Sequence, residues 1–225
     1  SIPEKKIREA DRAVLQATIE EYRQAMLYHA DFAAQRYNLG NLAKDIGQPD
    51  EAVEFFQQAI AIDDQFFPAK VNLAMSYNSA GENAKAEQLL REVVRDNPQL
   101  YEVAYSLGLL LGEMENYQEA AEYFSTAANG MPGYTRARYN EGLAYFKLEK
   151  WSEGERAILQ ALSYDPGNVE YFRTLTSVYL NFRLTKRAKE LAEKTLKLFP
   201  EHADAKELLT YLSSANGQSG RTKGN

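Results

Sequence analysis

The chain has 225 residues, 44% of them hydrophobic and 26% charged, with 26 Lys/Arg against 32 Asp/Glu and a formal net charge of −6. That balance is ordinary for a globular chain, and it argues against nucleic acid as the main partner, because neutralising phosphates needs a basic surface. The longest apolar runs, such as Leu107 to Leu111, are too short to span a bilayer, and the absence of cysteine excludes disulfides, thiolate metal sites and covalent haem attachment within the chain.

The opening SIPEKK carries neither an initiator Met nor the apolar core of a signal peptide, so the chain reads as a fragment or a processed product. Pro3 to Tyr28 are predicted to form a helix: Pro stands in the first turn, and Ile7, Ala10, Val14, Ala17, Ile19, Tyr22, Ala25 and Met26 approximate one apolar face. From Ala33 to His202 the sequence then repeats five times at a period of 34 residues without an insertion. Leu39-Gly40 recurs as Leu73-Ala74, Leu107-Gly108, Glu141-Gly142 and Leu175-Thr176. Other columns step identically: Ala52, Ala86, Ala120, Gly154, Ala188; Phe56, Leu90, Phe124, Ile158, Ala192; Ala59, Val93, Ala127, Ala161, Thr195; and Asp64, Pro98, Pro132, Pro166, Pro200. Shifted back by one period, Tyr22 falls in the Phe56 column, so the opening helix reads as the second helix of a degenerate leading repeat that caps the array. Ala203 to Ser214 form a last helix with Ala205, Leu208, Leu209 and Leu212 on one side, and residues 215–225 read as a polar, Gly-rich disordered tail.

This column pattern resembles the tetratricopeptide repeat (TPR) family, whose unit of about 34 residues is a helix-turn-helix. The resemblance implies an all-α fold, a right-handed TPR superhelix, and residues 1–225 as one solenoid: a capping helix over 1–32, five repeats over 33–202 and a solvating helix over 203–214. Each first helix carries the Leu-small pair and each second helix carries the Ala and aromatic columns. Gly47-Gln-Pro-Asp, Gly81-Glu-Asn and Glu115-Asn supply turns between them, and the prolines after each second helix stop it. The first repeat has Asp64 at the proline position, which predicts a softer junction there.

Charge is distributed unevenly. Tyr101 to Tyr134 hold five acidic residues and no Lys or Arg, whereas Val169 to His202 hold seven basic residues against four acidic ones. Solvated helix faces account for this, and self-association between an acidic centre and a basic end is the sharper alternative. Catalysis finds no constellation. His29 and His202 stand apart at helix junctions and read as surface residues, and the carboxylate pairs Asp63-Asp64 and Glu113/Glu115 lie in turns with no apolar pocket to perturb them. No enzyme activity, cofactor or metal is expected.

In TPR proteins the first helices line a concave groove. Two residues before each Leu-small pair stand Tyr37, Val71, Tyr105, Tyr139 and Arg173, and one residue before it stand Asn38, Asn72, Ser106, Asn140 and Thr174. With Asn41, these resemble the asparagine ladder with which some TPR proteins hold the backbone of an extended peptide. The predicted contacts are Tyr37, Asn38, Asn41, Asn72, Tyr105, Tyr139, Asn140 and Arg173; the alternative is that the amides bridge neighbouring helices and the tyrosines fill the core. The carboxylate clamp of TPR co-chaperones is not expected. Asn41 and Asn72 match its two asparagines, but Tyr37, Glu102 and Ser106 stand where it needs cations.

The function this implies is a non-catalytic scaffold that binds a protein or peptide segment, without nucleic acid or membrane insertion. Residues 10–74 also resemble the TPR segment attached to some bacterial multihaem c-type cytochromes. That resemblance implies a docking or oligomerisation arm of a larger exported protein, hence the periplasm; without it the cytoplasm is expected.

Overall fold

The computed structural model describes residues 9–26 and 33–219, and among them there are twelve helices and no strand. The chain divides into two compact units, Ser1–Met114 and Glu115–Asn225.

The N-terminal unit holds α1 (Glu9–Met26), α2 (Ala33–Asp45), α3 (Pro49–Ile62), α4 (Phe67–Ser79), α5 (Asn83–Asp96) and α6 (Tyr101–Glu113), each packed against the next. The C-terminal unit holds α7 (Tyr117–Gly130), α8 (Thr135–Lys147), α9 (Trp151–Tyr164), α10 (Val169–Asn181), α11 (Thr185–Leu198) and α12 (Ala203–Ser219), in the same serial contact. The helix-turn-helix repeat is regular: α2, α4, α6, α8 and α10 have 13 residues each and α3, α5, α7, α9 and α11 have 14.

One backbone device closes every first helix. Gly47 and Gly81 take left-handed φ values of 79° and 78°, and Glu115, Glu149 and Arg183 take the same conformation at 62°, 58° and 56°. The residue after it donates its N–H back across the last turn: Gln48 to Ala43, Glu82 to Tyr77, Lys150 to Tyr145 and Leu184 to Tyr179, at 2.7–2.9 Å. These are Schellman closures, which consume carbonyls that the helix end leaves unpaired. Glycine is the residue this conformation favours, so the three charged residues occupy it at a local conformational cost.

The second helices also stop alike. The N–H groups of Asp63, Asn97, Met131, Asp165 and Phe199 all bond to the carbonyl four residues back. The N–H groups of Phe66, Leu100, Tyr134, Asn168 and His202 then close the following turn at 2.9–3.2 Å. The Asp64 junction, predicted to be softer, therefore has the same backbone bonds as the proline junctions. It gains one more, from Gln65 N–H to the Asp63 carboxylate at 2.9 Å.

The repeat columns form the core. Ala52, Ala86, Ala120, Ala188, Phe56, Ile158, Ala192, Ala59, Ala127 and Ala161 are all fully buried. Small residues let the helices of a pair approach, and at three such places a larger residue would force its neighbours to shift: a Cβ on Gly40 would meet the Phe56 ring at 2.4 Å, one on Gly142 the Ile158 side chain at 2.6 Å, and one on Gly154 the Phe146 ring at 2.4 Å.

Three parts depart from the sequence expectation. In α1, Ile19 is buried and Leu15 half-buried against the α2 and α3 core, whereas Val14 and Tyr22 are 65% and 46% exposed. Tyr22 is thus no counterpart of the fully buried Phe56. Helix α12 runs to Ser219, past the predicted end at Ser214; residues 220–225 lie outside the described part, as do His29 and Ile7. His202 is buried rather than on the surface. Its ring lies 4.9 Å from that of Phe172, and its Nδ1 accepts the N–H of Ala205 at 3.3 Å, so it caps α12.

Candidate functional site

In the N-terminal unit the first helices α2, α4 and α6 carry the predicted amide and tyrosine positions. Asn72 on α4 donates its Nδ2 to Asn41 Oδ1 on α2 at 2.6 Å. This is the alternative foreseen for the amides, a bridge between successive first helices, and it leaves each amide with capacity for a further bond. Asn38, one turn before Asn41 on α2, is exposed. Asn38 and Asn41 line a concavity of about 310 Å3 with Thr18 and Tyr22 of α1 and with Leu42 and Asp45. The exposed ring of Tyr22 thus stands beside the amides, a position its place in a core column did not suggest.

Tyr37 is half-buried and turned toward the core. Its ring lies 6.0 Å from Phe56 and 5.6 Å from Phe66, edge-on to the latter. Tyr105 on α6 is half-buried and already engaged. Two residues not foreseen join this face: Met75 on α4 and Leu109 on α6 are 40% and 39% exposed and line one concavity together with Ser106 and Asn78. They stand 34 residues apart, in the column that begins with Asn41 and continues through Leu143 to Ser177. The sequence signal is partial: the column is apolar at Met75, Leu109 and Leu143 and polar at Asn41 and Ser177, and Leu143 packs against the core of its unit.

In the C-terminal unit the predicted contacts are less available. Tyr139 is 5% exposed, stacks on Tyr171 at 4.6 Å and shares a 2.9 Å hydrogen bond with Thr174 Oγ1. Burial raises its hydroxyl above the ordinary phenol range, opposed by the Thr174 bond. It is a core residue, and its expected role as a contact is corrected on that ground. Asn140 is half-buried and has a partner. Arg173 forms a two-pronged ion pair with Asp204, Nε to Oδ2 at 3.1 Å and Nη2 to Oδ1 at 2.8 Å. It ties α10 to α12 and is committed within the protein.

No step of chemistry emerges from these groups. Among the described residues no three His, Cys, Asp or Glu side chains are grouped to hold a metal ion, and no described helix is long and apolar enough to cross a membrane. The carboxylate-clamp geometry is likewise absent at the matching positions: Asn41 and Asn72 bond each other, and the Ser106 hydroxyl donates to the Glu102 carbonyl.

Comparison with known proteins identifies the repeat and the fold. The family model for the tetratricopeptide repeat matches residues 45–107 and 113–178, and no curated protein matches the chain. Among solved structures the chain is similar to MamA, at 23% identity and a TM-score of 0.63 over 74% of this chain and 95% of that one. It is also similar to YrrB, described as a TPR protein with an unusual peptide-binding site, at 20% identity and a TM-score of 0.67 over 85% and 99%. A third similar structure is a tetratricopeptide repeat protein from Parabacteroides merdae, at 23% and 0.65 over 94% and 84%. The resemblance to segments of multihaem cytochromes gains no support from these similarities.

Proposed function

Because the chain belongs to the tetratricopeptide repeat family, we propose that it is a non-catalytic protein-binding scaffold whose N-terminal unit holds an extended polypeptide segment along α2, α4 and α6. The observation that carries this reading is the exposure of Asn38, Met75 and Leu109 on the successive first helices α2, α4 and α6, beside the Asn41–Asn72 pair, whose amides keep capacity for a further bond. Amides on successive first helices can donate to and accept from a peptide backbone whatever its side chains, and the apolar positions and Tyr22 add contact area for alternate residues. The peptide-binding site of a structurally similar protein accords with this use of the fold. Asn140 and Arg173 keep a place only as contacts of the C-terminal unit, and Arg173 would have to release Asp204 first.

The test is an array of short unstructured peptides bound by the full chain and by the double variant Asn38→Ala/Asn72→Ala. Loss of two hydrogen-bonding amides is expected to weaken the bound peptides by about tenfold or more. Equal affinities for the two proteins, with matching circular dichroism, would refute the reading.

A further inference from the structure

A second surface of the C-terminal unit lies on different helices. Between α9 and α11 two adjoining concavities share Leu159 and Ser163 and form one furrow. The first, of about 440 Å3, begins at Ser152 and is flanked by Arg156 and by Glu155 with Arg187; the other continues past Leu162 and Lys194 to Leu198. Leu159 and Leu198 are 39% and 57% exposed above the buried Leu162. A single exposed leucine means little, but two along one furrow make an apolar track.

Its charge is one-sided. Glu155 is the only carboxylate among the residues that line it, and that carboxylate is already taken. Arg187 Nη1 donates to both its oxygens at 2.9 and 2.7 Å, and the Tyr179 hydroxyl donates to it at 2.6 Å. Arg156 and Lys194 are exposed and have no ion pair among the described residues, so the apolar track runs between two cations free to take a carboxylate. The terminal sequences SIPEKKIR and GRTKGN are themselves net basic and would be repelled. The geometry points to this furrow as a second binding site, one that takes an acidic segment of another polypeptide carrying leucine-sized anchors. Carboxylates would meet Arg156 and Lys194 while the anchors lie on Leu159, Leu162 and Leu198.

The probe is a labelled synthetic peptide, Glu-Leu-Glu-Glu-Leu-Leu-Glu-Glu-Leu, with a counterpart that has lysine at every glutamate. Binding is read by anisotropy and by the emission of Trp151, the only tryptophan, which adjoins Ser152. The acidic peptide should saturate the full chain and the lysine peptide should not. Arg156→Glu/Lys194→Glu should weaken the acidic peptide by about tenfold or more and let the lysine peptide bind; both residues are exposed and unpaired, so the fold should survive. Leu159→Ser should also weaken binding, whereas Asn38→Ala/Asn72→Ala should leave it unchanged, which separates this site from the first-helix face. The proposal is overturned by absence of binding, by equal binding of the two peptides, by affinities that ignore the charge reversal, or by sedimentation with anionic vesicles in place of peptide binding.

Discussion

Replacing Gly154 by valine is expected to lower stability by about 3 kcal/mol, at the upper end of what overpacking a core costs. Gly154 on α9 faces Gly142 on α8 across a close approach of the two helices. A Cβ on Gly154 would stand 2.4 Å from Phe146 and 3.0 Å from the Gly142 carbonyl oxygen; one on Gly142 would stand 2.6 Å from Ile158 and 3.0 Å from the Gly154 carbonyl. A ring or a methyl can swing aside, but the carbonyls belong to helices held by packing on both sides. Valine adds two further methyls and cannot be absorbed without separating α8 from α9. Gly112, near the end of α6, is the control: a Cβ there meets nothing within 4 Å. Gly112→Ala should be neutral or stabilising by up to about 1 kcal/mol, because alanine loses less entropy in a helix. Urea midpoints followed by circular dichroism compare the two variants. A midpoint for Gly154→Val within error of the parent would show that the helices do not approach as described.

Phe56→Ala is expected to cost about 3–5 kcal/mol, the range for emptying a buried aromatic site. Phe56 is fully buried and packs beside Leu39, Ala52 and Leu73, so its removal leaves a void that three helices line. The ring also explains Gly40, whose added Cβ would stand 2.4 Å from it. Gly40→Ala alone should therefore destabilise by about 1–3 kcal/mol, but in the Phe56→Ala background the methyl enters vacated space and its cost should nearly vanish. The cycle thus predicts a coupling of at least about 1 kcal/mol between the two positions. Strict additivity would mean that Gly40 is glycine for some reason other than this ring.

How much of this was legible depended on which residues repeat. The Leu-small pair and the Ala and Phe columns forecast the buried set and the pairing of helices, because packing each unit on the next imposes the same demand every 34 residues. The turn position was legible at Gly47 and Gly81 and not at Glu149 or Arg183, where the repeat imposes a left-handed φ on a residue that does not advertise it. The candidate binding face was harder to read. Tyr37 and Tyr139 share a column with Tyr105, yet both turn inward, Tyr37 onto Phe56 and Phe66 and Tyr139 onto Tyr171. A tyrosine column cannot announce whether its rings fill the core or face solvent. Arg173 found Asp204 in α12, a partner that lies outside the repeat register. Asn41 and Asn72 stand one period less three residues apart, and only the packing of α2 on α4 joins them.

On the proposed reading the first helices, and not the second, hold the extended segment in the N-terminal unit. A photoreactive amino acid placed at Asn38 on α2, and separately at Glu54 on α3, tests it on two exposed residues of the same unit. After irradiation with a peptide selected on the array, crosslinking should occur at position 38 and be competed by unlabelled peptide, with position 54 at background. Equal crosslinking at both positions, or crosslinking at 54 alone, would show that the first helices do not hold the segment.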